Sequence, residues 1–286
     1  MTDLILGTAT FGTGYGIANK EVKLDYETVR EIVSTAQRVG ISEFDTAPAY
    51  GSAEIQLGEF LDQGLEPKVS SKISREDSLS VKSMLGSVKK SLERTRVSKL
   101  KNLYLHDPEA LSGIGAKEVM LGFKELLSLE LVDRVGVSVY SMQSLLRSKE
   151  MFPDLTVFQV PENICDRRML DSKELMALVS EGNQFIVRSV FLQGLLLMSI
   201  DDIPPKLERS KPAIAQLKTI ADAHTVSTLD LCLSYGHAIP WAEGLIVGAT
   251  SALQLLQIAE SKIQLPDEWD SKVGTIPREI LDPREW

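Results

Sequence analysis

Cysteine is scarce: Cys165 and Cys232 are the only two in 286 residues, far apart and outside any C-x-x-C spacing. A disulfide framework or a thiolate zinc site is therefore not expected, and both read as reduced, partly buried thiols. Long apolar runs are also missing. The longest, Val190 to Ile200, is interrupted by Gln193 and Gly194 and falls short of the ~20 residues that cross a bilayer. Positive charge is in deficit, with a net charge of −9, a pI near 5.0 and no Lys/Arg block. That argues against nucleic acid as a partner, since such binding rests on neutralising phosphates. Met1-Thr2-Asp3 runs straight into the first apolar strand, so a soluble, cytoplasmic chain without a signal peptide is the expectation.

The G-x-G-x-x-G turn of an open doubly wound sheet is absent too. Gly12-Thr-Gly-Tyr-Gly16 has the wrong spacing and is followed by a polar stretch, so its glycines read as loop flexibility. Short, continuous apolar runs are what the chain does contain, as suits strands buried on both faces. They fall at Leu4–Gly7, Ser42–Asp45, Lys68–Ser71, Lys101–Leu105, Arg134–Ser138, Thr156–Val160, Gln184–Ser189 and Gly244–Val247. Helical spacing fills the intervals at Tyr26–Val39, Ser52–Leu61, Leu79–Thr95, Ala116–Leu129, Met142–Arg147, Leu170–Ser180 and Ala252–Ile258. The seventh interval predicts two helices, Lys211–Ala223 and Thr228–Gly236, the second capped by Ser227 or Thr228. Alternation without a linker predicts a closed (β/α)8 barrel forming one domain over residues 1–286. The 264–286 tail, with Trp269, Ile280, Leu281 and Trp286, is expected to pack near the barrel mouth.

Ionisable groups mark the ends of three consecutive strands. Asp45 ends the second, with Tyr50 in the turn after it; Lys72 follows the third and His106 the fourth. Taken singly, each has a plain structural role: a turn cap, an interfacial aromatic, a solvated cation, a satisfied strand-end imidazole. Together they lie where barrel enzymes place catalytic groups, at C-terminal strand ends. A phenol of pKa about 10 needs a neighbouring cation to act as an acid near neutrality. Lys72 is expected to lower the phenol pKa, Asp45 to hold the ammonium, and His106 to orient a carbonyl oxygen. No activated Ser or Cys nucleophile is evident and no metal is called for, so a cofactor-borne hydride is the expected nucleophile.

The stretch Phe44-Asp45-Thr46-Ala47-Pro48-Ala49-Tyr50-Gly51, with Lys72 and Leu105-His106 following in order, resembles the aldo-keto reductase superfamily, bacterial members included. The resemblance runs from Leu4 into the C-terminal tail. It implies a nicotinamide dinucleotide bound in extended form, NADP(H) by family habit with NAD(H) possible, and metal-free carbonyl reduction. Further contacts are implied residue by residue. Thr8, Ala9 and Thr10 resemble the loop near the nicotinamide, and Ser138 and Gln159 the carboxamide ligands, although Val139 replaces the family's frequent Asn. Arg188, Ser189, Phe191, Gln193 and Gly194 resemble the pyrophosphate loop. Arg188 stands where the family usually carries an aromatic that stacks on the nicotinamide. Its expected role is to stack or to pair with a loop carboxylate; readiness for an acidic or phosphorylated substrate is the other reading. Gly248, Ala249, Thr250, Ser251 and Gln254 resemble the adenosine-phosphate end, without the Lys or Arg common in NADPH users. The stretch Val187 to Leu196 is similar to bacterial members linked to sugar metabolism. The implied function is reduction of an aldehyde, ketone or sugar carbonyl by a monomer or weak oligomer. Two rival readings stand beside it: a barrel lyase or aldolase with Lys72 as Schiff-base amine, and a non-catalytic dinucleotide-binding redox sensor.

Overall fold

The structure, a computed structural model, describes residues 2–19, 23–111, 115–170, 172–261, 264–265 and 269–286. Strands β1 (Asp3–Gly7), β2 (Glu43–Asp45), β3 (Lys68–Ile73), β4 (Leu100–Leu105), β5 (Val132–Ser138), β6 (Val157–Pro161), β7 (Gln184–Arg188) and β8 (Ala242–Val247) pair in parallel, each with the next. Pairing of β8 with β1 closes the barrel. Helices cover the outside, which explains the uninterrupted apolar strands: Phe44, Val135, Val137, Phe158, Phe185 and Val187 pack outward into the main core beneath them. Alternate residues turn inward. Ile5, Tyr104, Val157 and Ile186 form a separate apolar layer within the barrel, with Ile246 against it. Below it, Glu43, Lys101, Arg134 and Glu243 close the floor with ion pairs.

Helix starts follow side-chain chemistry. Asp25, Ser80, Ser141, Ser172, Ser227 and Ser251 each accept a hydrogen bond from the backbone N–H three residues on. Ser227 is thus the cap of the Thr228–Ala238 helix. Ser80 starts the next helix at Val81, leaving Leu79 in the preceding 3-10 turn. The helix expected at Leu170–Ser180 spans Lys173–Ser180, and Asp171 lies outside the described residues. Strand β3 runs two residues past the Ser71 limit, because Lys72 and Ile73 continue the ladder against Tyr104 and Leu105. Lys72 is therefore a strand residue, with the rigidity of the sheet behind it.

Gly12 is not the flexible element its sequence context suggests. A Cβ there would lie 1.7 Å from the Tyr50 carbonyl oxygen, so only a glycine lets this loop pack onto the Tyr50 turn. Of the tail, residues 266–268 fall outside the described set. Trp269 packs edge-on against Tyr235 with centroids 5.2 Å apart, Ile280 and Leu281 are buried, and Trp286 donates its indole N–H to the Ile280 carbonyl. Among the described residues no helix is long and apolar enough to cross a membrane.

Candidate active site

Inward alternation brings the polar groups together. From the apolar interior layer the next inward positions toward the C-terminal ends are His106 beyond Tyr104, Gln159 beyond Val157, and Arg188 beyond Ile186. Asp45, Lys72 and Ser138 complete the ring, and all line a cavity of about 600 Å³. Asp45 and Lys72 are both nearly fully buried and form an ion pair in which the ammonium donates to Oδ1. Lys72 also donates to the Thr46 carbonyl at 3.2 Å, and Gln159 Nε2 donates to the other Asp45 oxygen. Thr8 braces the same strand end by donating from both N–H (2.9 Å) and hydroxyl (3.1 Å) to the Asp45 carbonyl. A buried ion pair is stable only when its remaining valences are met, and here they are.

Tyr50 enters from the β2 turn. Lys72 lies 5.1 Å from its ring centroid and hydrogen-bonds its hydroxyl, and the His106 ring stands edge-on at 6.3 Å. Burial raises the phenol pKa above its ordinary value, and Lys72 only partly opposes this. The expected net lowering is thus corrected in direction: the low dielectric penalises the phenolate more than one cation, itself shared with Asp45, can offset. Burial pulls down the Lys72 pKa, but Asp45 and Tyr50 together outweigh it and the net shift is upward, so the ammonium stays charged. His106 is held below its ordinary value by burial and then by Lys72, which leaves it neutral near pH 7.

The remaining expected residues divide. Thr8, Ala9, Thr10, Ser189, Phe191, Gln193, Gly194, Gly248, Thr250 and Gln254 line the same cavity. Ala249 and Ser251 stand behind it: the Ala249 carbonyl accepts from Thr10 Oγ1 at 3.3 Å, and Ser251 caps the last barrel helix by accepting from the Gln254 N–H at 3.1 Å. Gln254 turns its Oε1 back to the Thr250 N–H (2.7 Å) and hydroxyl (3.1 Å). After β7, Ser189, Leu192, Gln193 and Gly194 all adopt positive φ, between 47° and 88°. Three are not glycine, a strain on the order of 1 kcal/mol each. Within this turn the Leu192 and Gly194 N–H groups donate to the Ser189 and Phe191 carbonyls, both at 2.9 Å.

Sequence reasoning passed over Tyr15, Tyr140 and Arg284, which also line the cavity. Tyr140 could have been found, since it continues the inward period from Gly136 and Ser138. Arg284 could not, because no periodicity extends into the tail. Arg188 stacks as expected, but on Tyr140, its guanidinium carbon 4.0 Å from the ring centroid. Among the described residues no carboxylate pairs with it; Arg188 instead donates to the Val139 carbonyl at 2.8 Å and to Ser189 Oγ at 3.2 Å.

A nicotinamide group fits this wall on an observation independent of resemblance. Gln159 Oε1 is buried at the cavity lining and accepts no hydrogen bond. Such an orphan costs about 1–3 kcal/mol unless a donor, such as a carboxamide N–H, meets it. No cluster of metal-ligating side chains occurs among the described residues.

A barrel whose polar groups converge at the strand C-termini is built as an enzyme of that fold class. The aldo/keto reductase family model matches residues 3–273, and the chain belongs to that family of oxidoreductases. Two solved structures share the fold. The thermostable aldo-keto reductase Tm1743, solved with the inhibitor epalrestat, is 21% identical, with a TM-score of 0.72 covering 95% of this chain and 93% of that one. A Pseudomonas aeruginosa protein assigned to the aldo-keto reductases is 20% identical, with a TM-score of 0.65 over 90% of this chain and 87% of that one. Among curated proteins none matches.

Proposed function

We propose that this oxidoreductase reduces the carbonyl of an aldehyde, ketone or open-chain sugar to an alcohol, with Tyr50 as proton donor. The observation that carries the reading is the buried run Asp45–Lys72–Tyr50 opening on the cavity beside a neutral His106. Thr8, Ser138, Gln159 and the 189–194 loop are the residues that would hold a dinucleotide, which would supply hydride for the carbonyl carbon. His106 orients the carbonyl oxygen by hydrogen bonding. The Tyr50 hydroxyl gives its proton to that oxygen as negative charge develops there. Lys72 then faces a phenolate instead of a phenol, an interaction strengthened by the low dielectric, and Asp45 fixes the ammonium in place. The raised phenol pKa keeps Tyr50 protonated until that moment.

The Schiff-base alternative is disfavoured by the same geometry. A nucleophilic lysine must be neutral, whereas Asp45 holds Lys72 as an ammonium. Among the described lining residues, none at the Thr250–Gln254 end is cationic, which supports NADH over NADPH because hydroxyls and amides hold a phosphate less tightly than a cation does. The test is fluorescence titration with each dinucleotide, followed by turnover on a panel of aldehydes, ketones and sugars with the alcohol product identified. NADH binding at least as tightly as NADPH, and alcohol formation, are expected. Tight binding without turnover would favour the redox sensor, and borohydride trapping of substrate on Lys72 would favour the lyase.

A further inference from the structure

Among the described residues the charges around the cavity are matched with one exception. Asp45 neutralises Lys72, and Arg284 forms a two-pronged pair with Asp282, Nε to Oδ1 at 2.8 Å and Nη2 to Oδ2 at 2.5 Å. Arg188 has no carboxylate within ion-pair distance among the described residues; its acceptors, Ser189 Oγ and the Val139 carbonyl, are neutral and its Nε has none. It is half-buried, lines the cavity, and its charge is felt at both Tyr50 and His106. A half-buried guanidinium without a counter-ion is costly, and the protein as a whole carries a net charge of −9. Asp282, a carboxylate that feels its charge, is outside ion-pair distance and is already taken by Arg284.

The side chain is also held still. Its plane lies over Tyr140, and Arg284 lies over the same ring with its guanidinium carbon 3.7 Å from the centroid. Two guanidinium carbons that close cannot share one face, so the phenol ring is sandwiched between them. Val139 and Ser189 fix the rotation of Arg188 from below. The C-terminal segment thereby helps to position a cation in the same polar ring of the cavity as His106 and Lys72, within electrostatic reach of Tyr50. A fixed, planar cation of this kind suits a carboxylate or phosphate oxygen pair.

We propose that the physiological substrate carries an anionic group, carboxylate or phosphate, on the carbon chain bearing its carbonyl, and that Arg188 receives it. The assignment rests on the reductase reading above. Full-length protein, wild type and R188Q, is assayed with two matched pairs: 4-oxobutanoate against butanal, and glyceraldehyde 3-phosphate against glyceraldehyde. Dinucleotide affinity is measured on both proteins alongside. Wild type should prefer the anionic member of at least one pair in kcat/KM, and the pair that shows it identifies carboxylate or phosphate. R188Q should lower that preference ratio by about tenfold or more, chiefly through KM, whatever happens to the rate common to both members. Reduction of the neutral members without any anion preference would overturn this inference and leave the reductase reading intact. An R188Q loss equal for both members, matched by weaker dinucleotide binding, would overturn it as well and assign Arg188 to the cofactor. Failure of all four compounds with wild type would instead count against the reductase reading. Binding of succinate, which has no carbonyl to reduce, then decides the anion site by calorimetry: heat with wild type and none with R188Q upholds it, and no heat with either sinks it.

Discussion

At the scale of single residues the site is a problem in placing protons. In the proposed reaction Tyr50 keeps its proton in a buried setting and releases it to the carbonyl oxygen, two tasks that fall to different features of the site. Burial favours the protonated phenol, while the Lys72 ammonium beside it favours the phenolate. A second buried acid shows the same physics without the chemistry. Glu162 is fully buried, accepts from the Tyr235 hydroxyl and from the Met169 N–H at 3.0 Å, and has its pKa pushed by burial from 4.5 to about 8. Between those values the folded chain keeps a proton that the unfolded chain has lost. Its contribution to stability is therefore complete below pH 4.5, falls as pH rises, and levels off above about 8. Gln cannot ionise, so E162Q should lose less Tm than wild type between pH 5 and 8, as measured by thermal unfolding in matched buffers. Parallel curves for the two proteins would show that Glu162 is ionised in the fold.

At the scale of elements, what was legible in sequence were the strand ends. Buried parallel strands write themselves as continuous apolar runs, and a polar residue breaking such a run, as at Asp45, Lys72 or His106, stands out against that background. The exact end of β3 was less legible, because Lys72 and Ile73 stay in the strand through pairing with β4, a long-range contact that leaves no local mark. The 188–194 loop was readable only by resemblance, since the left-handed Ser189, Leu192 and Gln193 lack the glycine that signals such a backbone. Gly12 was misread for the converse reason: a glycine needed for close approach looks the same as one needed for mobility. Its contact makes a prediction for the Tyr50 turn. Gly12→Ala should push that turn back from the cavity, at a cost of about 1–3 kcal/mol in stability and about 10²-fold in kcat/KM. Gly86→Ala is the control: nothing lies within 4 Å of the added Cβ on the Val81–Thr95 helix, and stability should hold or rise. Equal effects from the two substitutions, read by thermal unfolding and turnover, would contradict the packing role of Gly12.

For the molecule as a whole, the barrel divides its labour along its axis. Ion pairs close the floor, an apolar layer fills the middle, and the polar ring at the C-terminal ends faces the cavity. The tail adds a piece from outside the repeat, with Arg284 stacked on Tyr140 at the mouth. The tail's apolar residues pointed to packing near the mouth, but the Arg284 contact itself was hidden because tail residues obey no strand or helix period. The account turns on proton donation by Tyr50. The most direct measurement compares Tyr50→Phe with wild type in single-turnover reduction of a substrate the wild type accepts, with dinucleotide affinity measured separately on both. The account predicts that dinucleotide affinity is retained while the rate of carbonyl reduction falls by about 10²–10⁴-fold. Reduction by the phenylalanine variant at the wild-type rate would contradict it.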